Sequence, residues 1–330
     1  MAILATEKVL TLDWWKPASH LRVGDYVFDK DGKIVKVTLV QEYRSESCYE
    51  VVFSDYLTAN GDEHLKLPTE NLKYRNRAYS YKGVHKFRRP LKPLSVKQIV
   101  DIPLRDKRNR LALSVPTAKP LELPHKDYPV PPFLFGFWFF ASKSTKKLLA
   151  GKGYGEYVVE KFKEYGYKVE LYQKTSKGEP YFTVAPSIES QFAPNIPTQL
   201  TQNYLLGSPE QRIELLSGIL CAKGRQYSPS RNTFRITSTH FGTVRLIQGL
   251  AESLGCRTKL SHDDYLNNYT ISFKSTHQLV PNQISSPVKV HQSRRYITQV
   301  NPLPAQMCVH IETSAPDNTI LVGEGFISVC

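Results

Sequence analysis

Three places in this sequence carry residues able to do covalent or acid–base chemistry: His64 in GDEHLKL, the pair Cys308 and His310 in MCVHIET, and Cys330 at the last position. A thiol can attack a carbonyl carbon and hold an acyl group as a thioester, while an imidazole can protonate a departing nitrogen. Residues two apart in a strand share a face, so Cys308 and His310 are predicted to look into the same space. Read one by one, these residues also fit plainer roles. A cysteine inside a strand is usually a small core hydrophobe, and a histidine at a strand end is usually a satisfied structural residue. The five cysteines (Cys48, Cys221, Cys256, Cys308 and Cys330) are an odd number without close spacing, which argues against a disulfide framework and a zinc knuckle.

The elements that must position these residues are β-strands. Segments 8–12, 25–29, 34–43 and 48–54 are rich in Val, Tyr, Phe and Thr and are punctuated by turns such as Asp31-Gly32, which predicts a compact all-β region. From 68 to 130 the chain turns basic and Pro-rich, the signature of a connector or solvated face, with a domain border near 125–132. The centre changes character. Val158, Val159, Phe162 and Tyr165 recur at helical spacing until Gly166, and strand 232–238, helix 242–255 and strand 267–273 follow a helix at 211–220. Two helix-plus-sheet units make a weak internal repeat. The tail from 306 returns to β. The reading is an all-β domain built from both chain ends, residues 1–125 and 286–330, around an α+β insertion at 126–285.

A length of 330 residues suits two domains, and 41% hydrophobic with 22% charged residues is globular composition. The formal net charge of +14 favours partners with phosphate backbones. No basic stretch followed by an apolar run opens the chain, and the longest apolar block, 131–141, is too short to span a bilayer, so no membrane is expected. Reduced thiols in a cytoplasmic setting are the default.

Residues 2–33, with HLRVGDYV (20–27) and DKDGK (29–33), resemble the opening block of inteins, the Hint-fold protein-splicing domains. LTANGDEHLKL (57–67) resembles their second block, and CVHIETSAPDNTILVGEGFI (308–327) their penultimate one, particularly in phage-type inteins. The resemblance implies a horseshoe-like fold that excises itself and ligates its flanking segments (exteins). It needs no cofactor and proceeds by an N-to-S acyl shift, transesterification and Asn cyclisation. It assigns His64 as the histidine beside the scissile peptide and gives Cys308 and His310 a modulating acid–base or branch-nucleophile role. The family threonine falls on Gly61, leaving Asp62 or Asn60 as substitutes. Ala2 stands where the first nucleophile belongs, and the chain closes Ser328-Val329-Cys330 without the His-Asn pair. Cys330 is read either as the flanking nucleophile or simply as the residue at which the sequence stops, and the chain as a splicing-disabled variant.

The insertion resembles the LAGLIDADG homing endonucleases through two motif copies, PFLFGFWFFASK (132–143) and LLSGILCAKG (215–224). There, paired helices meet at small residues, here Gly136 and Gly218, in a pseudo-two-fold repeat, and each helix ends in an acid that binds catalytic magnesium. Those acids fall on Ala141 and Lys223, with Cys221 at an earlier Asp, so metal ligands and cleavage are expected to be missing. Double-stranded DNA remains an expected partner, contacted by analogy through Lys143, Lys223, Arg225, Arg231, Arg235 and Lys274, and a basic Tyr-interleaved run at 73–95 could add an arm. The alternative reading is a free-standing DNA-binding protein derived from such an endonuclease.

Overall fold

The computed structural model describes the chain except residues 14, 72–91, 145–146, 150–152, 175–179, 185–201, 224, 229–232, 276, 282, 284–293 and 324. The chain forms two compact units, one of residues 1–122 with 291–330 and one of residues 123–290.

In chain order the first unit contributes β1 (Ala2–Leu4), β2 (Lys8–Leu10), β3 (Trp15–Pro17), β4 (Tyr26–Phe28), β5 (Ile34–Ser45), β6 (Cys48–Phe53), β7 (Thr58–Asp62), β8 (Lys66–Asn71), β9 (Lys92–Ser95), helix α1 (Val96–Val100) and β10 (Leu113–Pro116). The second unit follows with α2 (Pro132–Phe140), β11 (Ser142–Ser144), β12 (Lys147–Leu149), α3 (Gly155–Glu164), β13 (Val169–Lys174), β14 (Pro180–Val184), α4 (Gln202–Leu205), α5 (Pro209–Lys223), β15 (Arg225–Ser228), β16 (Thr233–Ser238), α6 (Phe241–Ser253), β17 (Thr258–Asp263) and β18 (Asn268–Lys274). The chain then returns to the first unit as β19 (Arg294–Leu303), β20 (Gln306–Thr313), β21 (Ile320–Val322) and β22 (Ile327–Val329).

The first unit is antiparallel. Its ten-stranded sheet runs β4-β5-β20-β1-β7-β6-β19-β10-β8-β9, and a four-stranded sheet runs β22-β21-β2-β3. Both chain ends therefore interleave: β1 lies between β20 and β7, and β21 beside β2. Alternation sends Ile3, Val51, Phe53, Ile297, Val309 and Ile311 into one core. Arg295 and Asp55, each with a side chain only 2% exposed, meet at 2.7 Å and tie β19 to the turn after β6. The stretch 68–130 is more structured than a connector. It contains the rest of β8, then β9, β10 and α1, whose Ser95 and Gln98 exchange side-chain-to-backbone bonds in a capping box.

The second unit repeats itself. In each half a helix, two strands, a second helix and two more strands give a sheet in the order first-second-fourth-third, β11-β12-β14-β13 and β15-β16-β18-β17. Gly166 and Gly255 follow the second helix of each half at φ 79° and 76°, the left-handed backbone that glycine adopts without a Cβ penalty. Helices α2 and α5 pack together through their glycines. A Cβ at Gly136 would strike the Leu215 carbonyl, and one at Gly218 would strike the Phe133 carbonyl and come 2.8 Å from the Phe137 nitrogen. Eight of the nine α2 residues are buried, which fits a helix apolar on every side.

Candidate functional site

β1 fixes the geometry of the first unit's site. Its register places Ala2 opposite His310 and Leu4 opposite Cys308 on one side, and Ile3 opposite Gly61 on the other. Cross-strand partners share a face, so Ile3 and Val309 enter the core while Ala2, Leu4, Cys308 and His310 lie on the opposite face. Tyr43 joins that face opposite Cys308, and Cys48 stands opposite Asp62. The structure thus gathers Ala2, Asp62, Cys308 and His310, four positions read from the sequence, on contiguous strands.

Gly61 allows this approach, because a Cβ there would run into the Ala2 carbonyl and sit 2.8 Å from Leu65 Cδ2. No threonine fits at 61, and the buried polar side chain at this point of β7 is that of the next residue. Asp62 is buried, and its Oδ1 accepts from the backbone N–H of His64 at 2.8 Å and of Leu65 at 3.1 Å. Its Oδ2 accepts from the Tyr43 hydroxyl at 2.6 Å. Burial, then this carboxylate, push the Tyr43 phenol well above its ordinary range. Asp62 therefore holds the loop that carries His64. The imidazole itself points outward: 74% exposed, it approaches Glu63 Oε1 at 3.6 Å.

Cys308 and His310 share a face but not partners. The Cys308 Sγ lies 3.8 Å from Cys48 Sγ in a small cluster with Leu4, whereas His310 Nε2 is 3.4 Å from Glu312 Oε1. Burial, then the neighbouring Cys48, push the Cys308 thiol up to about 12, so it is held as a protonated, unactivated thiol at neutral pH.

The first and last residues enter the same region. Met1 and Ile311 exchange backbone bonds, amine to carbonyl at 3.2 Å and Ile311 N–H to the Met1 carbonyl at 2.9 Å. Cys330 and Lys66 do likewise at 2.9 and 3.1 Å. Burial lowers the Met1 amine pKa, with Glu312, Cys330 and Asp62 opposing that shift, which places both ends in one electrostatic neighbourhood. Cys330 is half-buried, and burial raises its thiol pKa too.

Sequence reasoning passed over Tyr43, Cys48 and Glu7. Buried Glu7 accepts from the Asn60 backbone at 3.1 Å and the Asn60 amide at 2.8 Å, and burial pushes its carboxyl up to about 7. A charged residue just ahead of the apolar Val9-Leu10 pair was the available signal. Nothing local marks the other two, whose partners are 19 and 260 residues away.

In the second unit, Ala141 caps α2, buried, its N–H bonded to the Phe137 carbonyl at 2.8 Å, and Lys223 is the exposed last residue of α5. Cys221 is fully buried, and burial pushes its thiol up to about 12. Neither the Ala141 nor the Lys223 side chain offers an oxygen ligand, and the lysine brings a positive charge, so these side chains do not fit a catalytic divalent metal. Arg235 and Lys274 fall on the sheet face opposite buried Phe234, Ile236, Ile271 and Phe273, with Arg225 in register opposite Arg235. Lys143 stands in β11 opposite Leu148. Arg231 and most of the basic run at 73–95 lie outside the described residues.

No family model matches the chain. A replicative DNA helicase DnaB of Mycobacterium intracellulare is 25% identical over 329 residues, covering 91% of this chain and 54% of that protein. The chain thus spans about half the length of the curated relative it matches. Among solved structures, the MchDnaB-1 intein is 28% identical over 21% of this chain and 53% of its own, with a TM-score of 0.20. The homing endonuclease I-DmoI, solved with DNA and Mn, is 13% identical over 48% of this chain and 97% of its own, with a TM-score of 0.32. The chain is similar to DnaB inteins and to LAGLIDADG homing endonucleases.

Proposed function

We propose that this chain is an intein of a DnaB-like host, with a Hint splicing domain completed by both chain ends and a LAGLIDADG domain inserted between them. The observation that carries the reading is the register of β1: Ala2 pairs with His310 and lies beside the Gly61–Asp62 segment, on the face that holds Cys308. Three separated sequence blocks meet there.

The residues divide the work of an acyl-transfer site. The Met1–Ala2 peptide is the scissile bond, and its carbonyl is held by the Ile311 N–H. Asp62 fixes the loop that presents His64, which protonates the leaving nitrogen after its exposed ring turns inward. Cys308, two residues along from the Ala2 partner His310, is the nearby thiol able to receive an acyl group once deprotonated. Ala2, where the first acyl shift needs a thiol or hydroxyl, supplies no nucleophile. The chain as given is therefore splicing-disabled. The inserted domain binds double-stranded DNA through its basic sheet face and does not cut it, since a carboxylate is missing at each motif end.

A fusion between two flanking segments tests this. The unaltered chain is expected to give no ligated flanks by mass spectrometry, whereas Ala2→Cys with His-Asn placed before Cys330 is expected to give them. Ligation by the unaltered chain would refute the disabled state. Failure of the restored chain to ligate would refute the intein reading in favour of a free-standing DNA-binding protein.

A further inference from the structure

Charge is segregated within the first unit. Residues 73–119 hold fourteen Lys and Arg against two Asp and Glu, whereas the rest of that unit holds ten against sixteen. A domain that is otherwise acidic thus holds one strongly basic stretch of sequence, whose described part, residues 92–119, runs through β9, α1, the loop before β10 and β10 itself, at the β10-β8-β9 end of the large sheet.

Within it, residues 104–112 form a closed hairpin. Ala112 N–H donates to the Leu104 carbonyl at 2.8 Å, Arg105 bridges Leu111, and Asp106 N–H donates to the Arg110 carbonyl at 2.9 Å. The tip is cross-braced. Asp106 Oδ1 accepts from the N–H groups of Arg108 and Arg110, its Oδ2 accepts two bonds from the Arg110 guanidinium, and Arg105 donates to the Asn109 carbonyl. Asn109 sits at φ 58°, the backbone setting that makes so tight a turn. These bonds occupy Arg105 and Arg110, while Lys97 is paired with Glu63 and Lys119 with Asp31. Lys107 and Arg108 stand exposed at the apex of a loop braced by the other cations.

We propose that this hairpin is a second nucleic-acid contact of the chain, outside the inserted domain, in which Lys107 and Arg108 engage consecutive backbone phosphates of double-stranded DNA. A braced tip gives up little conformational freedom on docking. A duplex presents one charge per about 1.7 Å, dense enough for two adjacent cations to act together. The acidic remainder of the unit repels the same polyanion and so directs it to this end. The inference does not depend on splicing competence.

The test is the full chain binding a labelled 30-base-pair duplex by fluorescence anisotropy across a salt series. The double variant K107A/R108A is expected to lower the slope of log K against log salt by about 1.8 and to weaken binding roughly tenfold at low salt. R22A/K33A, the same charge loss at exposed sites in the acidic part of the unit, is expected to leave the slope unchanged. Matching thermal unfolding curves for both variants and the parent check that the fold is intact. Equal losses in the two variants, no loss in K107A/R108A, or tighter hairpin-dependent binding to heparin or single-stranded RNA than to the duplex would overturn the proposal.

Discussion

Glu7 offers a quantitative test of the junction geometry. It is 7% exposed, and both its hydrogen bonds come from Asn60, immediately before the glycine that touches the Ala2 carbonyl. Burial raises its folded pKa from 4.5 to about 7. The native state therefore keeps this proton over a range in which the unfolded chain has lost it. Protons held by the native state mean that stability falls as pH rises, from the unfolded pKa up to the folded one, and is level above. The whole drop is about 3 kcal/mol, of which about 2.5 lies between pH 5 and pH 8. Glu7→Gln keeps an oxygen acceptor for Asn60 and cannot ionise. In urea denaturation followed by circular dichroism, the variant should gain on the parent by about 2.5 kcal/mol between pH 5 and pH 8. Parallel pH profiles would show that Glu7 ionises as a solvated group and that this account of the Asn60 contact is wrong.

Other expectations follow from particular contacts. Gly218→Ala adds a methyl against fixed backbone, and overpacking of about 1–3 kcal/mol should outweigh the roughly 1 kcal/mol of helix propensity gained, lowering the second unit's melting temperature. A control within α6, the half-buried Gly249→Ala, has open space at the new Cβ and should not destabilise. Asp55→Ala takes the carboxylate away from a buried guanidinium and should cost about 3–5 kcal/mol in the first unit, measured by the same denaturation. Native protein should react rapidly with a thiol reagent at one site, Cys330, and at all five cysteines after denaturation, counted by absorbance. Plasmid incubated with the chain and Mg²⁺ should remain supercoiled on a gel; metal-dependent nicking would mean that other ligands replace the missing acids.

Local patterns were readable wherever one face of an element is buried. The alternation in 268–274 and the helical spacing of Val158, Val159 and Phe162 survive in β18 and α3 because each packs one side on a core. The two glycine-bearing motifs were legible for the same reason, since close helix approach restricts residue type. Register was not legible. Ala2 opposite His310 joins residues 308 positions apart, a pairing set by the whole sheet. Nor could spacing show that Cys308 would pair with Cys48 rather than His310, or that the His64 imidazole would face solvent. The basic stretch was read as a connector because charge hides strand signal. Its strands β9 and β10 are held by neighbours on β8 and β19 rather than by apolar content of their own.

The seam between α2 and α5 separates two kinds of inheritance. The residues that hold the helices together, Gly136 and Gly218, sit in mid-helix, while the motif-end positions, Ala141 and Lys223, lie where the helices stop. A substitution at a helix end changes what that end presents and leaves the packing untouched; a substitution at the seam pushes two backbones apart. Variation in such a pair of helices is therefore ordered, with the ends free to change and the glycines held. A lineage can rewrite what the helices present while inheriting the same scaffold.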